Sequence, residues 1–328
     1  MTNIHILSRE PHLSQIITGY IMLNKKQCRF YDDSGTELYP YHSAFVLVEY
    51  QGKTLIYDML DGYQYPEMIQ YYLNNSDFYF KRSYSNAENH KLNLKNVQRM
   101  YPLGFNYHVS YRGHFLDKPN WKENIKRCLR IENNQYSSTY FTPQRFETIP
   151  SYKTQKIKVL FMTRLWTGEK QINDMRIMLI RELKRLTGIE FIGGIADTGP
   201  ARELAPELIV PNALTNRKYY VKTMRKCDIC IGTTGLHGSI GWKTGEYVAA
   251  SKAIIHEKMM YTVPGDFSDG KNYLSFSTCE ECLNALGMLI NDPQKMFEMK
   301  CANEKYYLEY LRPDVMIRNT LKIVNSAI

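Results

Sequence analysis

The second half of the chain alternates short, almost continuous apolar runs with segments of helical spacing, and this alternation constrains the fold most. Apolar runs of strand length occur at residues 156–162, 190–195 and 228–231, separated by helical patterns. Strands with continuous apolar runs are typical of parallel sheets that are covered on both faces. We therefore predict a doubly wound α/β domain, in which a ligand binds at the carboxyl ends of the strands. A further short strand is expected at residues 207–210.

The first half shows a less regular α/β pattern. Two β-rich runs, 44–50 and 54–58, flank a predicted hairpin turn at 51–53. Helices are expected at 65–73 and 121–131. A change in composition then marks a linker, rich in Asn, Ser and Pro, that ends near residue 155. The sequence thus predicts a first domain over 1–150, a second over 151–305, and a C-terminal helix over 306–328 that crosses back to the first domain.

Charge and composition exclude several classes of function for this protein. The formal net charge of +9 is spread along the 328 residues, which suits an anionic ligand or peripheral contact with an anionic membrane surface. No nucleic-acid-binding motif is present, so nucleic acid is not expected as a partner. There is no apolar stretch of about 18 residues and no apolar signal region at the N-terminus. Together with the odd count of 7 Cys, this predicts a cytoplasmic protein with reduced thiols.

A glycine-rich loop between the run at 228–231 and the next helix gives the most specific local signal. The loop includes Gly235, His237, Gly238 and Ser239 and ends at Glu246, near the predicted helix start. Backbone N–H groups at a helix start can bind phosphate oxygens, and glycines let a ligand approach the backbone. A carboxylate there can accept two hydrogen bonds from a ribose diol. The alternative is a flexible loop, with a favourable charge at a helix N-terminus.

The segment EYVAASKAII, from Glu246 to Ile255, resembles the ribose-binding segment of GT-B glycosyltransferases, written E-A-x-A-x-G-x-P-[IV]-[IV] in their large retaining group. The resemblance implies two Rossmann-like α/β domains that face a cleft, with Glu246 on the ribose of a nucleotide sugar. It also implies that the glycine loop, including Gly235, His237 and Ser239, lies near the phosphates or the sugar. A second Glu of that group, which contacts the donor sugar, is replaced here by Gly238. Retention or inversion at the sugar therefore stays open.

A second segment, FMTRLWTGEK, follows the predicted strand at 156–162 and is similar to the family's G-R-L-x-x-x-K loop. It is one residue longer and has Thr163 in place of the glycine. The resemblance implies that Arg164 and Lys170 clamp the donor diphosphate. A planar guanidinium and a mobile ammonium suit two phosphates and can stabilise charge on a leaving group. Taken alone, both residues would also fit a solvated surface.

The resemblance further implies the nature of the donor. Pro211 and Asn212 stand where the family's nucleobase pocket forms, and a UDP-sugar is favoured over a GDP-sugar as co-substrate. No other cofactor is expected. The sequence has no Asp-x-Asp triplet to hold a catalytic metal, so metal independence is predicted.

Two cysteine pairs raise the alternative of a structural metal. Cys227-x-x-Cys230 and Cys279-x-x-Cys282 could supply four thiolates to zinc. However, the first pair lies in or beside an apolar strand, where alternation sends neighbouring side chains to opposite faces. The second pair lies on a helix far along the chain. We therefore expect ordinary buried thiols.

The catalytic base is expected in the first domain. Asp58 and Asp61 lie in the region that follows a predicted strand, at the edge that faces the cleft. His108 and His114 are alternatives, because the ordinary pKa of histidine suits proton transfer near neutral pH. Each of the four residues also fits a structural role at the surface or in the core.

The sequence thus predicts a glycosyltransferase that acts on a saccharide or glycoconjugate hydroxyl in glycan biosynthesis. Two other classes stay open: a nucleotide-sugar epimerase on the same fold, and a non-catalytic protein that binds nucleotides or glycans. An epimerase would consume nucleotide sugar without an acceptor, and a binding protein would turn nothing over.

Overall fold

The computed structural model describes residues 1–109, 145–153 and 155–327, which form two α/β units, each with its own sheet. The predicted fold class, two Rossmann-like α/β domains, is confirmed for this part of the chain. The helix predicted at 121–131 lies outside the described residues, as does much of the expected linker.

The first sheet has six strands in the order β2-β1-β3-β4-β5-β6. Only β3 runs antiparallel to its two neighbours, and the other pairs are parallel. The hairpin predicted at 51–53 is confirmed: Tyr50 pairs with Lys53, and Gln51 and Gly52 take positive φ angles of 49° and 74°. The strands of this sheet are β1 Thr2–Ile6, β2 Cys28–Asp32, β3 Phe45–Tyr50, β4 Lys53–Asp58, β5 Phe78–Lys81 and β6 Met100–Pro102. The helices of this unit are α1 Ser14–Asn24, α2 Pro66–Asn74 and α3 Asn86–Lys91.

The second sheet has five parallel strands in the order β11-β10-β9-β7-β8. The chain builds outward from β7 to β8 and then crosses to β9 on the other side, so the order reverses between β7 and β9. In such sheets the ligand crevice lies at this reversal, outside the carboxyl ends of the strands. The strands are β7 Lys158–Thr163, β8 Glu190–Ile195, β9 Ile229–Gly232, β10 Ala253–Glu257 and β11 Leu274–Phe276.

Helices cover the second sheet and also form the C-terminal part of the chain. A π-helical turn, Tyr307–Leu311, separates the last two helices. The helices are α4 Lys170–Arg185, α5 Gly199–Leu204, α6 Asn212–Thr215, α7 Arg217–Lys226, α8 Trp242–Ala249, α9 Cys279–Asn291, α10 Pro293–Tyr306 and α11 Pro313–Ser326.

The short strand predicted at 207–210 is wrong. Residues Pro206–Leu208 form a 3-10 turn instead, and Ile209 makes only an isolated bridge to Ile195. Pro206 and Pro211 flank the segment and lack the N–H groups that a strand ladder needs.

The last helix packs against the first domain. Gly19 of α1 lies so close to α11 that an added Cβ would come within 2.4 Å of the Pro313 carbonyl oxygen. Gln15 donates a hydrogen bond of 3.0 Å to the Leu311 carbonyl, and the hydroxyls of Tyr57 and Thr320 lie 2.7 Å apart. These buried contacts tie the C-terminus to the first sheet and so help to hold the two units together.

The helices in the described part of the chain are all too short or too polar to cross a membrane.

Candidate functional site

A cleft of about 330 Å³ opens at the carboxyl ends of β7 and β9, where the strand order of the second sheet reverses. Both domains line it. The first domain contributes His12, Asp61 and Arg82, and the second contributes the loops after β7 and β9 together with the start of α8. The cleft therefore lies at the position that the alternation of elements predicts for a ligand.

The glycine-rich loop forms one wall of the cleft, and its shape is fixed by internal hydrogen bonds. Thr234 donates from its backbone N–H and its hydroxyl to the Glu257 carboxylate, both at 2.8 Å. The Gly235 N–H donates to the Ser239 carbonyl at 2.8 Å. Gly235 and Ser239 both line the cleft. Gly245 instead allows the two domains to pack closely, because an added Cβ would lie 3.0 Å from the Asn106 carbonyl oxygen of the first domain.

Arg164 lines the cleft directly after β7, with its guanidinium 5.4 Å from the centre of the Trp166 ring. Arg176 of α4 is buried beneath it. Its guanidinium donates 2.7 Å to the Arg164 carbonyl, 3.1 Å to the Thr233 hydroxyl and 2.9 Å to the Thr234 carbonyl. Arg176 therefore ties the loop after β7 to the loop after β9.

Arg176 was missed by the sequence analysis, although a signal existed. It lies on the apolar stripe of α4, beside Ile177 and Ile180, where a guanidinium needs a specific partner. Burial lowers the pKa of Arg176 to about 10, with a smaller contribution from Arg164.

Lys170 does not reach the cleft. It is the first residue of α4, its side chain is 85% exposed, and its ammonium lies 2.5 Å from the Asp174 carboxylate one turn along the helix. Lys170 therefore lies on the solvent side of the helix start. The expected pairing of these two residues around one diphosphate is therefore not supported by their placement.

Glu246 of α8 lines the cleft and has no exposed surface. Its Oε1 lies 2.5 Å from Nη1 of Arg217, at the start of α7. Its Oε2 has no hydrogen-bond partner among the described residues. A buried carboxylate oxygen without a donor is costly, so hydrogen-bond donors of a ligand would find a ready acceptor here. The contact of Glu246 with a ribose stays a prediction.

Lys243, three residues before Glu246, adds another cation to the cleft. Its ammonium donates to the carbonyl oxygen of Met162, at the end of β7. The pKa of Lys243 is lowered to about 7, mainly by burial and to a smaller extent by the charges of Arg176 and Arg164, whereas Glu246 opposes the shift. Neither Lys243 nor Arg217 was singled out from the sequence, because no spacing pattern relates either to Arg164.

The other residues predicted for the donor site lie outside the cleft lining. Pro211 and Asn212 are exposed at the start of α6, and the same segment reaches the cleft only through Thr215. His237 has a positive φ of 58° and accepts a hydrogen bond of 2.9 Å at its carbonyl from the Tyr261 hydroxyl. Gly238 has a φ of 68°, and a Cβ there would lie 2.9 Å from the Met260 sulfur. The glycine is thus required by the local backbone.

Among the described residues of the first domain, Asp61 is the acidic side chain that lines the cleft. It is partly exposed, and its carboxylate lies 2.7 Å from Nη1 of Arg82. The other end of the Arg82 guanidinium donates a hydrogen bond of 2.7 Å to the Ile240 carbonyl of the second domain. Arg82 therefore fixes Asp61 relative to the glycine loop.

His12 completes this side of the cleft and was missed by the sequence analysis. Its Nδ1 lies 3.2 Å from Nη1 of Arg82 and 3.3 Å from Nε1 of Trp242. Guanidinium and indole N–H groups can only donate, so Nδ1 of His12 is the acceptor and Nε2 carries the proton of the neutral ring. Burial lowers the pKa of His12 to about 4, helped by Arg82 and opposed by Asp61. His12 thus presents a hydrogen-bond donor, not a base.

The placement of Asp58 corrects its predicted role. Asp58 is the last residue of β4, has no exposed surface, and does not line the cleft. Its carboxylate accepts from Lys81 and Tyr79 at 2.7 Å each and from the Leu60 backbone at 2.8 Å. These donors surround the carboxylate inside the first domain. Asp58 is therefore a buried ion-pair partner that does not face the cleft.

His108 is buried as well and does not line the cleft. Its ring packs 5.4 Å from the Trp242 ring, and its backbone carbonyl accepts a hydrogen bond of 3.1 Å from Arg217. The structure therefore does not place it beside a reacting group. His114, the other alternative, lies outside the described residues.

The four thiols considered for zinc are all buried. Burial raises the pKa of each thiol, to about 12 at Cys227. Over the residues that the structure describes, no three His, Cys, Asp or Glu side chains cluster so as to hold a metal ion. The absence of structural zinc stays a prediction.

No protein-family model and no curated protein matches this sequence. Solved structures do show similarity. The C-terminal domain of a group 1 glycosyltransferase family protein, LpcC from Francisella tularensis, is 14% identical with a TM-score of 0.37, over 50% of this chain and 95% of that one. HepE from Anabaena, solved with UDP-glucose, is 14% identical with a TM-score of 0.40. The match covers 80% of this chain and 69% of HepE. TarM is 11% identical with a TM-score of 0.44, over 79% of this chain and 46% of TarM, so the chain spans about half of TarM.

Two parallel-rich sheets, one in each domain, lie on either side of this cleft, an arrangement like that of the GT-B fold. Identities and TM-scores this low concern the fold alone.

Proposed function

We propose that this protein is a glycosyltransferase that moves a sugar from a nucleotide-sugar donor to a hydroxyl group of a saccharide or glycoconjugate, with UDP favoured over GDP as the donor nucleotide. One observation carries the proposal. At the strand-order reversal, a fully buried carboxylate, Glu246, lies in the same cleft as the cations Arg164, Arg176, Arg217 and Lys243. A nucleoside diphosphate presents a ribose diol for the carboxylate and two phosphates for the cations.

The chemistry follows from this arrangement. In transfer, the bond between the anomeric carbon and the diphosphate oxygen breaks, and its electron pair leaves with the nucleoside diphosphate. The acceptor oxygen bonds to the anomeric carbon and loses its proton to a base. Fixed cations stabilise the negative charge that grows on the leaving diphosphate. Asp61 is a first-domain carboxylate at the cleft, and we assign it the role of base or of a group that orients the acceptor.

Donor titration and turnover assays test the proposal. Wild type is titrated with UDP, GDP and their common hexose conjugates, and binding is compared in Glu246→Gln and Arg164→Ala, with folding checked by circular dichroism. Glu246→Gln is expected to weaken nucleotide-sugar binding by roughly 1–3 kcal/mol, because ribose hydrogen bonds are lost. Arg164→Ala is expected to lower kcat as well, because it also removes stabilisation of the leaving group.

The outcomes separate the classes of protein. Sugar transfer that requires an added acceptor supports the proposal. Consumption of nucleotide sugar without acceptor would indicate an epimerase, and binding without turnover a non-catalytic protein. Unchanged donor binding in both folded variants would place the donor site elsewhere and contradict the assignment of this cleft.

A further inference from the structure

Within the part of the chain that the structure describes, the cleft holds more positive charge than its acidic groups balance. Arg164, Arg176, Arg217 and Lys243 line it, and Glu246 is the carboxylate among them. Asp61 also lines the cleft but pairs with Arg82. Like charges that share a partly desolvated space repel one another. Such a cluster is well suited to a ligand with at least two negative charges.

Lys243 holds a central position in this cluster. Its Nζ is anchored to the Met162 carbonyl at the end of β7, which is also the strand that leads to Arg164. Its ammonium lies 5.5 Å from the centre of the Tyr220 ring of α7. An ammonium has three donors, and Met162 O is its one hydrogen-bond acceptor within the described residues. The other two donors are thus available to a ligand.

A second observation marks the same space as a ligand site. Oε2 of Glu246 is fully buried, faces the cleft and lacks a donor among the described residues. Glu246 lies one helical turn after Lys243 on α8, so the two side chains point in similar directions. A ligand that satisfies the carboxylate with hydroxyls can therefore reach the ammonium with an anionic group.

We infer that Lys243, and not Lys170, is the lysine that binds the donor diphosphate together with Arg164. This inference rests on the proposed function and adds a residue to its donor site. Lys170 stands on the solvent side, paired with Asp174. Arg176 acts through other residues: its hydrogen bonds to the Arg164 and Thr234 carbonyls make it a positioning residue for both loops.

The charge state of Lys243 gives the inference a second readout. Of the residues that the structure describes, those that face its ammonium are Arg164, Arg176 and Arg217, the Glu246 carboxylate and the Tyr220 ring. Without ligand, burial and the three guanidinium groups hold the pKa of Lys243 near 7. A bound diphosphate favours the charged form and raises this pKa. Above pH 7, binding must therefore take up a proton, and affinity must fall as pH rises.

The experiment is isothermal titration of UDP, with uridine as the uncharged comparison, into wild type, Lys243→Met, Lys243→Arg and the matched surface control Lys170→Met. Lys243→Met is expected to weaken UDP binding about 10- to 100-fold, since charge-assisted hydrogen bonds are lost. Uridine binding should change little. Lys170→Met should bind UDP like wild type.

Titrations at pH 8 in buffers of different ionisation enthalpy measure directly how many protons are taken up when UDP binds. Wild type should take up about 1 proton per UDP, and Lys243→Met none. Lys243→Arg, whose guanidinium is always charged, should keep more of the affinity than Lys243→Met and also take up no proton. The titration of UDP itself is common to all variants. Wild type supplies this readout even if a variant folds poorly.

Three results would overturn the inference. The first is wild-type UDP affinity in folded Lys243→Met, and the second is a loss in Lys170→Met as large as in Lys243→Met. If either result is found while Glu246→Gln still binds UDP more weakly than wild type, the proposed function stands and only the role of Lys243 in diphosphate binding is excluded. The third is a wild type that binds neither UDP nor GDP, which removes the inference and the donor site together.

Discussion

The carboxylate of Glu246 lies 2.5 Å from the guanidinium of Arg217, and Glu246 has no exposure to solvent. The two residues are on different helices, α8 and α7, and Arg217 also donates a hydrogen bond to the His108 carbonyl of the first domain. The pair therefore links the predicted ribose-binding residue to the packing between the domains.

Arg217→Met should destabilise the protein, because it leaves a buried carboxylate without its ion-pair partner. We expect the free energy of unfolding to fall by about 3 kcal/mol, measured by urea denaturation. The control is Arg181→Met, which removes an ion pair with Glu207 in which both side chains are about half exposed. Such surface pairs contribute roughly 0–1 kcal/mol. An equal fall in the free energy of unfolding for the two substitutions would show that the buried pair stabilises the protein no more than the surface pair.

Asp61→Asn should impair turnover and leave the fold intact. A general base contributes on the order of 10²–10⁴-fold to the rate, so a loss of kcat in that range is expected if Asp61 accepts the proton of the acceptor. Asp58→Asn is the comparison: it disrupts the buried pair with Lys81 and should lower stability instead. Turnover of Asp61→Asn near the wild-type value would exclude Asp61 as the base.

His12 should make the protein less stable in mild acid. Burial and the Arg82 charge lower its pKa from 6.5 to about 4 in the folded state. As pH falls below 6.5, the unfolded chain binds the proton first, so this contribution to stability is full above pH 6.5 and is lost toward pH 4.

His12→Gln should flatten that decline, because the amide oxygen can still accept from Arg82 but does not titrate. The measurement is the urea midpoint as a function of pH, with His90→Gln as the control on the exposed face of α3. Parallel curves for wild type and His12→Gln would contradict the prediction.

Turnover should survive a metal chelator. The cleft supplies positive charge through Arg164, Lys243 and their neighbours, and side-chain cations can stabilise a leaving diphosphate without a metal. We expect the same kcat with and without EDTA. A strict requirement for added magnesium or manganese would mean that the cations of the cleft do not suffice.

The elements of the second domain could be read from the sequence because each depends on local patterns. The apolar run before Met162 predicts β7, and the amphipathic spacing after Asn173 predicts α4, with helix boundaries wrong by only a few residues. The strand predicted at 207–210 was wrong because the prolines on either side of this apolar segment lack the N–H groups that a strand ladder needs. Helix α1 and strand β2 were not predicted, although α1 packs against α11 in the core.

The sequence by itself determined the parallel sheet, the glycine loop after β9 and the position of Glu246 at the cleft, because strand direction and loop chemistry follow from residues that are near each other in the chain. Only the tertiary structure decided which charged groups meet there. Lys170 turns to solvent and Lys243 turns to the cleft, while Asp58 is buried and Asp61 reaches the surface. Contacts between a helix, a strand end and a second domain depend on three-dimensional packing, which sequence spacing does not encode.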